Sequence, residues 1–158
     1  MIEVYGLLFC SVIGTIGHFI YELSNKNKII GYLFSTNEST WEHLKLGITP
    51  ILMFSIVEIL VLKNPNVIVN TCFKIITFTI FTITLYYVSK HILKKNIIIL
   101  DLAIFYFSLA IAHLVSLKLL HNTYSIFTYL CSITLIALMF YAYKHFYKFK
   151  PNNFLFKY

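Results

Sequence analysis

A chain of 158 residues can form a small soluble domain or a membrane bundle, but 59% hydrophobic and 12% charged residues stand against roughly 45–50% and about 25% in soluble domains. Too little polar side chain is present to cover a water-facing surface, which excludes the soluble class. The formal net charge of +7 comes from thirteen lysines and no arginine, and because they lie between apolar runs, they argue for membrane orientation and against a nucleic-acid partner.

Cys10, Cys72 and Cys131 each sit inside an apolar run, without CxxC or Cys/His metal spacing, and read as small buried hydrophobes. Met1-Ile2-Glu3-Val4-Tyr5 lacks the basic start of a secretory signal and no small-residue cleavage site follows, so the first apolar stretch is expected to remain in the mature protein. The lack of arginine beside abundant Ile, Lys, Asn, Phe and Tyr fits AT-rich codon usage.

A bilayer core requires about 20 mostly apolar residues in helical form, since the backbone finds no water there. Five segments qualify: residues 4–23, 46–62, 67–88, 97–117 and 124–143. The fold class is therefore an all-α integral membrane bundle, one transmembrane domain over residues 1–158. The connection 24–40, with Gly31 and the polar run Ser35-Thr36-Asn37-Glu38-Ser39, is predicted to be ordered against the inner ends of the helices. Lys63-Asn64-Pro65-Asn66 is a tight turn, because Pro65 disfavours helix at Asn64 and both asparagines tolerate turn geometry. The second and third spans then form an antiparallel hairpin.

Five crossings place Lys63 and Lys118 on one side and Lys26, Lys28, Lys45, Lys90, Lys94, Lys95, Lys144, Lys148, Lys150 and Lys157 on the other. This asymmetry predicts a cell-membrane protein with its N-terminus outside and its C-terminus cytoplasmic.

Ionisable groups cost about 2.5–3.5 kcal/mol at the centre of a membrane helix, so each one in a span needs a partner or a purpose. They fall into two layers. The inner layer holds His18 and Glu22 at the end of the first span, Glu38, Glu42 and His43 before the second, and Asp101 in the fourth. His18 and Glu22 are spaced i,i+4 on one face. The six are expected to converge on one inner-leaflet pocket, with His18, Glu22, His43 and Asp101 as ligands of a divalent transition metal and Glu38 or Glu42 as catalytic base. Against this stands a structural reading: Ser39-Thr40-Trp41-Glu42 fits an S-x-x-E capping box, Trp41 suits the interfacial belt, and Lys45 can snorkel to headgroups. Adjacent residues on a helix point about 100° apart, so Glu42 and His43 do not easily face one ion.

The outer layer holds Glu58, Lys74 and His113. Glu58 and Lys74 flank the hairpin at similar depth and read first as a buried ion pair that fixes packing; the alternative is an ion path in which Glu58 and His113 exchange protons. Pro50, preceded by Gly47, is a candidate kink in the second span. Thr77, Thr79, Thr82 and Thr84 read as interhelical contacts or as back-bonding to their own carbonyls.

Gly17-His18-Phe19-Ile20-Tyr21-Glu22-Leu23-Ser24 and Asn37-Glu38-Ser39-Thr40-Trp41-Glu42-His43-Leu44-Lys45 resemble the patterns GHxxYExS and NESxWEHxK of an uncharacterised family of small multi-pass membrane proteins from Gram-positive bacteria. Ser35-Thr36 stands where that family often shows Pro-Val. The resemblance covers the first third of the chain and implies a bacterial membrane protein with a shared inner-face site; it supplies no reaction.

Three functions compete on these residues. A metal-dependent intramembrane hydrolase acting on lipid or peptide uses the inner layer, although no HExxH or nucleophile elbow is present. A small-ion or proton-coupled transporter, or a subunit of one, uses both layers and requires oligomerisation. In a structural or regulatory membrane partner, the polar groups only fix packing. Membrane lipid is the common partner of all three, joined by a homo-oligomer contact or another membrane protein.

Overall fold

A computed structural model describes residues 2–95 and 97–156. Met1, at the head of the signal-free start, and Lys157, one of the ten lysines assigned to the inner side, lie outside the described residues. The apolar runs close their backbone hydrogen bonds as helices: α1 (Ile2–Leu23), α2 (Lys28–Leu33), α3 (Thr40–Leu62), α4 (Asn66–Leu93), α5 (Ile98–Leu119) and α6 (Ile126–Lys148). All but α2 are long and apolar enough to cross a membrane. The long helices outrun the apolar windows, most at the start of α3 and the ends of α4 and α6, because helical bonding continues after the side chains turn polar.

α1 packs on α3 and α5, α4 lies between α3 and α5 and also contacts α6, and α2 bridges α1 and α6. The buried face of α1 is Glu3, Gly6, Cys10, Gly14 and Gly17, one residue per turn at the spacing that puts them on a single stripe. The small residues let backbones approach: a Cβ on Gly14 would stand 2.6 Å from the Leu46 carbonyl oxygen. Gly47 does the same between α3 and α4, where a Cβ would overlap the Phe78 ring. Cys10, Leu44, Ile48, Ile51, Phe54, Ile75, Phe78, Leu109 and Ala112 form the apolar core between the two ends of the bundle.

At the hairpin end, Lys63 adopts a left-handed conformation at φ 47° and Pro65 opens α4. The Asn66 amide donates to the carbonyls of Leu120 (3.0 Å) and Asn122 (2.8 Å), and Tyr129 donates to its oxygen. One asparagine thus ties the α3–α4 turn to the α5–α6 turn.

At the other end, the connection 24–40 is ordered by α2. The Asn27 side chain accepts from the Ile29 N–H at 2.9 Å to start it, and Thr49 of α3 donates to Leu33 O at 2.5 Å to hold its end. Trp41 is half-buried: its backbone N–H donates to Leu155 O at 2.9 Å, and its ring packs on Tyr143, Phe146 and Phe156. The segment after α6 folds back to make these contacts. Pro50 is buried inside α3. In the threonine set, Thr82 is buried and Thr84 is exposed.

Candidate functional site

At the α2 end, Gly17 gives α1 a bare patch against which the Phe34 ring packs, so the connection crosses α1 directly beside His18. The loop is then shaped by its own side chains. Ser35 donates to Asn37 O at 2.8 Å and the Asn37 side chain accepts from Ser39 N–H at 2.9 Å, an Asx turn that presents Glu38 between them. His43 follows in the first turn of α3.

These three residues meet. Glu38 Oε1 lies 3.4 Å from His18 Nε2, and its Oε2 lies 3.4 Å from His43 Nε2. All three donor atoms fall within 4.8 Å of one another, and the two imidazole rings are tilted at 34° with centroids 5.5 Å apart. Donors about 2.0–2.1 Å from a tetrahedral zinc are spaced by about 3.3–3.4 Å; each imidazole Nε2 stands 3.4 Å from a different oxygen of Glu38, longer than the 2.7–3.2 Å range of N–H···O hydrogen bonds and close enough for one ion to be held between the three side chains. The second ring nitrogen of His43, Nδ1, lies 3.0 Å from Ser39 O and can only donate to a carbonyl. A neutral His43 therefore turns the Nε2 lone pair toward Glu38, the outer-shell arrangement that orients metal-binding histidines.

The other residues of the inner layer go elsewhere. Glu22 points to solvent and pairs with Lys26 at 3.8 Å. Glu42 is fully buried and accepts from Lys45 Nζ and from Thr36 N–H, both at 2.9 Å. Lys45 also donates to Gly31 O at 3.1 Å and lies 5.7 Å from the Tyr143 ring centre. Two expectations are corrected here. Glu42 does not close a capping box, because Ser39 N–H is already bonded to Asn37 and the Ser39 hydroxyl makes no cap bond. Lys45 does not snorkel, because a buried carboxylate and a carbonyl compensate its charge inside the fold. Together they clamp α2 and the loop onto α3. Asp101 is half-buried in the first turn of α5 and stands apart from the three-residue group.

At the hairpin end, Lys74 Nζ bonds both oxygens of Glu58 (2.7 and 2.8 Å) and Glu3 Oε2 at 3.0 Å. His113 Nδ1 lies 2.7 Å from the same Glu3 oxygen, while Ser116 and Asn70 donate to Glu3 Oε1. All six are at least 97% buried. The structure joins Glu58, Lys74 and His113 through Glu3, a residue that hydropathy places in the flank of the first span. Its signal is the stripe Glu3, Gly6, Cys10, Gly14, Gly17, whose helical spacing puts Glu3 on the packed face of α1.

Neither the curated proteins nor the solved structures contain a match to the chain. Over residues 2–157 it matches the family described as "Family of unknown function (DUF6512)", and it belongs to that family.

Proposed function

We propose that the chain holds one divalent transition metal between His18, Glu38 and His43 and acts as a metal-dependent hydrolase on a lipid or peptide at the cytoplasmic leaflet of a Gram-positive cell membrane. The observation that carries this reading is the pair of 3.4 Å separations from one carboxylate to two imidazole Nε2 atoms, with Nδ1 of His43 held by Ser39 O. Two imidazoles and a carboxylate suit zinc and leave a coordination position open. A metal bound there supplies a Lewis acid and a water acidified to near neutrality. Glu42 and Lys45 act at a distance by fixing the loop that carries Glu38.

Metal analysis of the purified full chain tests the site. About one zinc per chain is expected, lost in His18→Gln and in His43→Gln and retained in Glu22→Gln, whose side chain faces Lys26. Stripping and restoring zinc should switch hydrolysis of vesicle lipid or of a membrane peptide off and on. A metal-free wild-type protein from zinc-supplemented cells defeats the site; a loaded protein without hydrolysis defeats only the reaction.

A further inference from the structure

The second cluster of ionisable groups lies far from the metal ligands, and its charges do not balance. Glu3 is in the first turn of α1, Glu58 about one turn before the end of α3, and Ser116 in the last turn of α5, so the cluster sits within one or two turns of the hairpin end. His113 faces Glu3 of α1, which its Nδ1 bonds, and Lys74 of α4; Asn70 of α4 and Ser116 of α5 meet the same Glu3 carboxylate, and Glu58 of α3 joins the group through Lys74. With His113 neutral, two carboxylates face one ammonium.

The hydrogen bonds show where the missing positive charge belongs. Glu3 accepts from Lys74, His113, Ser116 and Asn70, which is the pattern of an ionised carboxylate. Glu58 has both oxygens on Lys74. His113 donates through Nδ1, while its Nε2 is buried with no partner, as is Asn70 Oδ1. Gly6 makes room for the ring, since a Cβ there would stand 2.8 Å from His113 Cε1. A buried net charge is costly, and one proton on the remaining ring nitrogen removes it.

We propose that this cluster is a proton-binding site, loaded from the hairpin end, with His113 Nε2 as the seat of the proton and Glu58 as the charge that holds it there. Proton uptake forms the Nε2–H bond, breaks none in the protein and leaves the cluster neutral. The apolar layer of Cys10, Phe54, Phe78, Leu109 and Ala112 lies between the cluster and the α2 end, so the proposed loading is from the nearer, hairpin end.

The test is imidazole-nitrogen NMR on the full chain in lipid nanodiscs, with His113 assigned by the signal that His113→Gln removes. Expected is a single protonation step at Nε2 while Nδ1 stays protonated. In Glu58→Gln the site should bind its proton about tenfold or more weakly, a shift of one pH unit or more. Infrared spectra of the wild type should show no protonated carboxyl band. An identical titration in Glu58→Gln overturns the proposal, as does a carboxyl band that this substitution erases, since the proton then belongs to Glu58. If Glu58→Gln does not fold, the wild type decides alone: an Nε2 that stays unprotonated at every pH where the chain is folded overturns the site.

Discussion

Lys74 is where the energetics of single residues are sharpest, because one buried ammonium serves both Glu58 and Glu3. Lys74→Met leaves two buried carboxylates with only an imidazole for compensation, and removing one partner of such a pair costs roughly 3–5 kcal/mol. Adding Glu58→Gln removes one of the orphaned charges and should restore about half of that loss or more. Thermal unfolding in one detergent measures both; equal destabilisation of single and double variants would mean that the pair carries no coupling. Part of this cluster is legible in the sequence, since the tight turn at Lys63–Asn66 sets Glu58 and Lys74 at equal depth. Glu3 is not legible from hydropathy, where an acid at the edge of an apolar run looks like solvated flank. At the other end, depth brings six ionisable residues to one layer, but rotation about each helix axis decides which of them meet. Glu42 and His43 are neighbours in sequence and face different surroundings, one Lys45 and the other Glu38.

The elements were legible in proportion to their length. Five long apolar runs announce five helices, whereas α2 has six residues and no hydropathy signal of its own; its position depends on Asn27, Thr49 and the buried Glu42–Lys45 pair. The connection is nevertheless what builds the candidate metal site, because it carries Glu38 to two helices that already hold His18 and His43. Gly17 sets its path. In Gly17→Ala the new Cβ overlaps the Phe34 ring, and relieving an overpacked contact of this kind costs roughly 1–3 kcal/mol. Phe34 should yield and carry the loop away from α1, so zinc retention should fall by about tenfold or more although no ligand has changed. The His113 signals at the opposite end should stay in place. Full zinc retention in Gly17→Ala would show that the loop is held without the Phe34–Gly17 contact.

For the whole molecule, the two polar clusters occupy opposite ends of a bundle whose middle is apolar, and α6 is its most peripheral helix, with 11% of its apolar window buried. A groove of about 300 Å³ runs between α3, α4 and α6, lined by Met53, Ile56, Ile68, Ile136 and Phe140, surface suited to acyl chains and not to water. Charge gives an expectation of which end faces the cytoplasm. Lys45 and Lys74 are neutralised inside the fold and exert no pull on topology, so the bias rests on the remaining lysines of the described residues, which lie in the turns and towards the helix ends. Lys26, Lys28, Lys90, Lys94, Lys95, Lys144, Lys148 and Lys150 lie at the α2 end; Lys63 and Lys118 lie at the hairpin end. The bias survives the loss of Lys45, and on the positive-inside rule the α2 end, with His18, Glu38 and His43, is expected in the cytoplasm. A reporter joined after the last residue should therefore be active when it requires the cytoplasm and silent when it requires export, and a cysteine introduced at Asn122 should react with an impermeant reagent added to whole cells. The reverse pattern would put the metal ligands outside and the His113 cluster inside, and proton loading would then draw on the cytoplasm instead of the medium.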